Sequence, residues 1–372
     1  MKYLDEYRDA RLCEKLLTQI RQRATRRWTL MEVCGGQTHG LLRWGIGDEL
    51  EGEVDLIHGP GCPVCVTPLE SIDYAVELAR RDDVLLTSFG DMMRVPGSRA
   101  SLLAARSEGG NVRIVYSPLD AVNIAAKHPE KQVVFFAVGF ETTAPAAALA
   151  VRQAERLGLL NFSLLVSHVR VQPAMELLAN DEYCRVQGFL AAGHVCTVIG
   201  YDEFHEFART YRLPVVVTGF EPVDLLSGIL GCVDQLERGE ATVDNQYSRS
   251  VRAAGNREAI RLIDEVFEVC DRPWRGFGTV ARGGISLRQQ WRDYDAAIRF
   301  PRASLPVVEP AECRSGDVLA GRIKPTECEA FGVGCTPETP LGAPMVSTEG
   351  ACAAYYRYRA TRNLQEEARA AP

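Results

Sequence analysis

The sequence predicts an α/β protein with two parallel-sheet units and a loop-rich third region. Three observations carry that expectation. Between residue 28 and about residue 240, short apolar segments alternate with helical stretches. The alternation then stops, and from 271 the chain is rich in Gly, Pro and Arg. The last stretch, Cys313 to Cys352, holds four of the twelve cysteines among irregular residues. Repeated strand–helix alternation implies parallel strands joined by crossovers, and eight strands are expected to divide between two sheets.

Taken in order, MKYLDEYRDARLCEKLL is a charged amphipathic stretch, expected as a helical arm over residues 1–27 and not as a signal peptide. WTLMEV, VDLI, DVLLTSF and VRIVYS supply the strands of a first α/β domain over 28–130. QVVFFAVGF, FSLLVSH, GFLAAG and PVVVTGF supply those of a second over 131–240. Between them SLLAARSE, LDAVNIAAKH, APAAALAVRQAERLG, QPAMELLAN, YDEFHEFARTY and DLLSGILGCVDQLERG carry apolar residues at helical spacing. Residues 241–372 form a C-terminal region in which VDNQYSRSVRAAGNREAIRLIDEVFEVC is expected as one or two helices, followed by loops.

Composition excludes several function classes. The 372 residues are 46% apolar and 24% charged, ordinary for a soluble chain, and the net charge of −7 argues against nucleic acid as a partner. No apolar run approaches the ~18 residues that a membrane span needs. The expectation is a cytoplasmic protein, where twelve cysteines serve metal or redox chemistry better than a disulfide framework. Cys13, Cys184, Cys196, Cys232 and Cys270 stand singly in regular elements and are assigned to packing. Cys34, Cys62, Cys65, Cys313, Cys328, Cys335 and Cys352 lie in irregular segments.

Residues 58–65, HGPGCPVC, combine a histidine, two glycines, two prolines and two cysteines. Proline fixes φ and glycine frees it, so this is a shaped loop between a strand and a helix. Thr67, Pro68 and Glu70 are expected to make a capping box at that helix start, with Cys65 just ahead of it, where the helix dipole favours thiolate. Cys34 opens a second such loop, CGGQTH, whose paired glycines let backbone approach a ligand while Thr38 and His39 offer a hydroxyl and an imidazole. These loops, with Gly90-Asp91, Gly139 to Thr143, Ser167-His168, Gly193-His194 and Gly219 to Glu221, all follow strands. Open α/β sheets place their sites at such carboxyl ends.

The C-terminal cysteines are spaced C-x14-C-x6-C-x16-C, which matches neither a zinc ribbon nor the ferredoxin runs. Four thiolates suit zinc or a 4Fe-4S cluster, and spacing leaves both open. The chain has no GxxxxGK[ST] loop, no GxGxxG after a strand and no CxxxCxxC triplet, so neither nucleotide hydrolysis, dinucleotide hydride transfer nor radical-SAM chemistry has a motif behind it.

MEVCGGQTHG, HGPGCPVCVTP, SFGDMMRVPG, GFETTAP, GFEPVD and ECEAFGVGCTPETPLGAPMVSTEGACAAYYRY together resemble the HypD family of nickel–iron hydrogenase maturation factors, over residues 31 to 358. The resemblance implies two α/β domains with a cluster-bearing third, a 4Fe-4S cluster, and a role in holding the iron that receives two cyanides and a carbon monoxide. It implies a small chaperone of the HypC type and a cyanide-donating maturation protein of the HypE type as partners. Carried over by position, it makes Cys34 the ligand of the nascent iron with His39 beside it, and Cys62 and Cys65 a thiol/disulfide pair exchanging electrons with the cluster. Cys313, Cys328, Cys335 and Cys352 become the cluster ligands. Two positions depart from the family pattern: Gln37 stands where relatives often have histidine, and Pro344 where a further cysteine is expected. The rival expectations are a stand-alone thiol–disulfide oxidoreductase and a zinc-stabilised binding module.

Overall fold

The computed structural model describes residues 4–302, 307 and 309–358; the outer ends of the expected first and last regions lie outside the described residues. Its strands, in chain order, are β1 (Trp28–Glu32), β2 (Val54–His58), β3 (Val84–Ser88), β4 (Val112–Ile114), β5 (Gln132–Gly139), β6 (Phe162–His168), β7 (Gly188–Ala192), β8 (Val215–Thr218), β9 (Val243–Asn245), β10 (Phe267–Trp274) and β11 (Gly278–Leu287). All eight expected strands are present. With β9 they form two parallel sheets, in the orders β2-β1-β7-β8-β9 and β4-β3-β5-β6.

The boundary expected at residue 130 does not separate these sheets. β1 and β2 join β7, β8 and β9 in one, and the whole of β3 to β6 is inserted between them in sequence. The physical reason is that β1 is largely buried on both faces and needs a partner on each edge. β2 supplies one, and β7 the other in the register Leu30↔Gly188, Met31↔Phe189, Glu32↔Leu190. The N-terminal stretch is not a free arm. Helix α1 (Ala10–Arg23) packs on helix Pro222–Glu237 and buries Leu16 and Ile20, so it covers one face of the first sheet.

Two elements escaped the sequence. β9 lies in VDNQYS, read as helix, and pairs in parallel with β8. β10 and β11 form an antiparallel hairpin in a stretch read partly as helix and partly as irregular. It has little apolar alternation because most of β10 is exposed. Its fully buried Trp274 anchors it by donating from Nε1 to the Gly283 carbonyl at 2.9 Å. Of the one or two helices expected over 243–270, one is present, Arg257–Val266.

A single apolar core runs between the sheets, joining Phe136 and Val138 of β5 to Phe189 and Ala191 of β7 and to Leu319 and Val346 of the C-terminal region. That region is thereby docked on the carboxyl ends of the strands. Arg94, in the SFGDMMR loop after β3, donates to the carbonyls of Pro337 and Val346, and Thr348 donates to Asp91 at 3.0 Å.

Candidate functional site

The strand order of the first sheet reverses at β1 and β7: from β1 the chain proceeds outward to β2, and from β7 outward in the other direction to β8 and β9. The loops after two such strands part and leave a crevice, the usual ligand position in an open α/β sheet. Cys34 follows β1 and His194 follows β7. Cys34 Sγ lies 3.4 Å from His194 Nδ1 across this crevice.

Cys34 is the N-cap of helix α2 (Gly35–Arg43). The helix dipole and the amides of Gln37 and Gly36 favour its thiolate, but complete burial and the nearby carboxylates of Glu32 and Glu349 oppose it. Burial is the largest of these effects and pushes the thiol well above its ordinary range. A resting Cys34 is therefore protonated, and ligating a cation would displace that proton. Burial also holds the His194 imidazole below its ordinary value, so it is neutral and able to accept or ligate.

His39 is expected beside Cys34 but points elsewhere. Five residues along a helix turn it about 140° from the cap, and its Nδ1 faces the Tyr358 hydroxyl at 3.3 Å. Burial lowers its pKa, and the charge of Arg357 adds to this. Gln37 is fully buried and donates to the carbonyls of Ala191 and Thr218 at 3.0 and 3.2 Å. It ties α2 to the ends of β7 and β8.

Sequence reasoning missed Glu32, the last residue of β1, and gave no role to His194. A carboxylate at the end of an otherwise apolar strand was the available signal. Glu32 is fully buried and accepts three donors: the Cys34 amide at 2.7 Å, the Thr38 hydroxyl, and His58 Nδ1 at 2.7 Å. Because a carboxylate only accepts, Nδ1 of His58 carries a proton, and Nε2 lies 3.0 Å from the Tyr355 hydroxyl. These contacts fix the loop that presents Cys34.

Cys62 and Cys65 form a disulfide, with Cα atoms 5.2 Å apart and both residues buried. The capping box expected beside them is not formed. The following helix starts at Leu69 with Pro68 as its N-cap, and the Thr67 hydroxyl donates instead to the Pro63 carbonyl at 2.9 Å, closing the CPVC turn. The disulfide loop packs directly on the Cys34 loop. The Gly35 amide donates to the Gly61 carbonyl at 3.0 Å, and a Cβ on Gly61 would run into the backbone of Val33 and Cys34.

Cys313, Cys328, Cys335 and Cys352 line one small cavity of about 20 Å³ together with Phe331 and Pro344. Pro344 is part of its wall. Burial raises the Cys335 and Cys352 thiols, and the other cysteines of the group raise them further. Among the described residues, no three His, Cys, Asp or Glu side chains stand as they would around one metal ion. Cys196 and Cys232 are buried as packing residues, and Cys13, Cys184 and Cys270 are half-buried. Among the described residues no helix is long and apolar enough to cross a membrane.

A family model described as "Hydrogenase formation hypA family", HypD, matches residues 11–359. The chain is 46% identical to the hydrogenase maturation factor HypD of Azotobacter vinelandii over 367 residues, 96% of this chain and 97% of that one. It is 46% identical to the hydrogenase expression/formation protein HupD of Azotobacter chroococcum mcd 1, covering 99% of both. The HypD of Escherichia coli (strain K12) is 43% identical, over 96% of this chain and 98% of that one. Matched along nearly its whole length, with the CGGQTH, GPGCPVC and C-terminal cysteine segments all inside the match, the chain belongs to the HypD family.

Proposed function

We propose that this hydrogenase maturation factor is a cytoplasmic scaffold that holds iron at Cys34 while the iron acquires two cyanide ligands and a carbon monoxide. The observation that carries the reading is the meeting of Cys34 and His194 at the switch point of the first sheet. A buried thiol and a neutral imidazole offer two soft-to-borderline donors to a low-spin iron cargo. Glu32 and Thr38 hold the loop that carries the thiol, and the crevice keeps bulk water from it.

The donor set around the second cavity supports a resident 4Fe-4S cluster held by Cys313, Cys328, Cys335 and Cys352: four thiols border one space. When bound, such a cluster supplies electrons one at a time. Cys62 and Cys65 take up or return two electrons in passing between disulfide and dithiol. Their burial argues against a stand-alone oxidoreductase, because exchange with a protein substrate needs an attackable sulfur. A small HypC-type chaperone and a HypE-type cyanide donor are the partners in this reading.

Infrared spectroscopy tests it. Purified anaerobically with its small partner, the wild type should show cyanide and carbonyl bands, and Cys34→Ala should lack them while keeping its iron–sulfur absorption. Bands at wild-type intensity in Cys34→Ala would place the cargo iron elsewhere. No bands in either protein would favour the oxidoreductase.

A further inference from the structure

Residues 351–358 are helical and carry Cys352, Tyr355 and Tyr358 at three-residue spacing, which sets them along one side of the helix. Each meets a different part of the site. Cys352 lines the four-cysteine cavity. Tyr355 bonds to His58 Nε2 at 3.0 Å, with the two rings edge-to-face at 5.2 Å. Tyr358 faces His39 Nδ1 at 3.3 Å, again edge-to-face, at 5.5 Å. Just before this helix, Glu349 packs so closely on Gly35 that a Cβ there would overlap its backbone. A short rigid element thus borders the cysteine cavity at one end and reaches α2 and the Glu32–His58 pair along its length.

We infer that residues 351–358 couple the two centres, with Tyr355 and Tyr358 as positioning residues: filling the four-cysteine cavity fixes His58 and His39, and through them the segment that presents Cys34. The inference rests on the cluster reading above, since it needs a group that Cys352 can hold. Cys352 sits in the first turn of the helix and borders the cavity. Ligation pins that turn. Residues 351–358 make ~12 Å of continuous helix, so the constraint reaches Tyr358. Local opening of the segment after Cys34 then becomes rarer, a change in stability that requires no change of average structure. The order of events follows: the cluster is installed first, and iron is received on a loop already held in place.

Hydrogen exchange on the full chain, cluster-free and after anaerobic reconstitution with iron and sulfide, tests this. In the wild type, reconstitution should slow exchange over residues 35–43 by about tenfold, the scale on which local opening responds to a pinned contact. Tyr355→Phe/Tyr358→Phe keeps both rings and removes only the hydroxyls. It should bind the same iron and sulfide per chain yet show less than about a twofold change over 35–43. Tyr358→Phe alone should release residues 39–43 and leave 56–60 as in the wild type, which keeps the test available if the double variant folds poorly. A loaded wild type whose 35–43 exchange is unchanged, or a double variant that responds like the wild type, overturns the coupling alone. A wild type that takes up neither iron nor sulfide overturns the cluster reading and the coupling with it.

Discussion

Glu32 and His58 end neighbouring strands and face each other in register, with Glu32 Oε1 2.7 Å from His58 Nδ1 and both side chains closed to water. The pair forms the floor of the crevice in which Cys34 and His194 meet. Replacing Glu32 by Gln preserves shape but turns one acceptor into a donor, which must then oppose either the Cys34 amide or the His58 N–H. An unsatisfied buried donor costs about 1–3 kcal/mol. Denaturant unfolding of Glu32→Gln should show a loss in that range, together with lost maturation activity. Stability equal to the wild type would mean that the carboxylate does not hold the loop.

Cys328→Ala and Cys335→Ala should abolish the brown colour of anaerobically purified protein, because a cubane deprived of a thiolate becomes labile. Iron and acid-labile sulfide per chain should fall to near zero in both. A zinc site predicts zinc instead, with no sulfide in the wild type. Full cluster content in either variant would remove that cysteine as a ligand.

Cys62→Ser should leave fold and cluster intact but stop maturation, since it removes the dithiol without reaching the four-cysteine cavity. Thiol counting on denatured, alkylated wild type should find two fewer free thiols in oxidised than in reduced protein. Equal counts would argue against the switch.

Glu141, in the GFETTAP loop, gives a pH signature. Burial raises its carboxyl from 4.5 to about 7, although the Val171 amide donates to it at 3.1 Å. Between those values the folded protein holds a proton that the unfolded chain has lost. Stability from this group is therefore full below about pH 4.5 and declines as pH rises to about 7, by about 3 kcal/mol in all. Glu141→Gln lacks the effect, so its stability relative to wild type should grow between pH 5 and pH 8. His168 acts oppositely in both. Burial lowers it to about 3, which removes stability as pH falls below its unfolded value of 6.5. The difference between the two proteins isolates Glu141, and a pH-independent difference would contradict its raised pKa.

Each of the eight expected strands was legible because it is a short apolar run bounded by turn formers, as in Val84–Ser88, where all five residues are buried. Partnership was not. Nothing local in WTLME says that its second neighbour lies beyond residue 187, since pairing is chosen by burial summed over the whole chain. The β10–β11 hairpin was hidden by arginines and acids on its exposed face. At the site, the thiols were legible from their Gly/Pro surroundings. Glu32 was not singled out, because a lone acid inside WTLMEV looks like any half-exposed strand position. His39 was over-read, because adjacency in sequence is not adjacency around a helix. The Thr67 cap failed for a similarly local reason: a hydroxyl that bonds back to Pro63 is no longer free to cap.

The insertion of one sheet within the other has a consequence for how the protein is made. When β1 and β2 leave the ribosome, the strand that must pair with β1 is still about 130 residues from being synthesised, on the order of ten seconds at ordinary elongation rates. The inserted sheet, β3 to β6, is complete before β7 appears and is free to fold as a unit in that interval. Cys34, Cys62 and Cys65 meanwhile hang on two strands without their full partners, open to oxidants, stray metals and one another. Only when β7, β8 and then residues 309–358 emerge does the crevice close over them. Newly made chains should be most sensitive to thiol-alkylating reagents during that window, and mature chains nearly inert at the same three sulfurs.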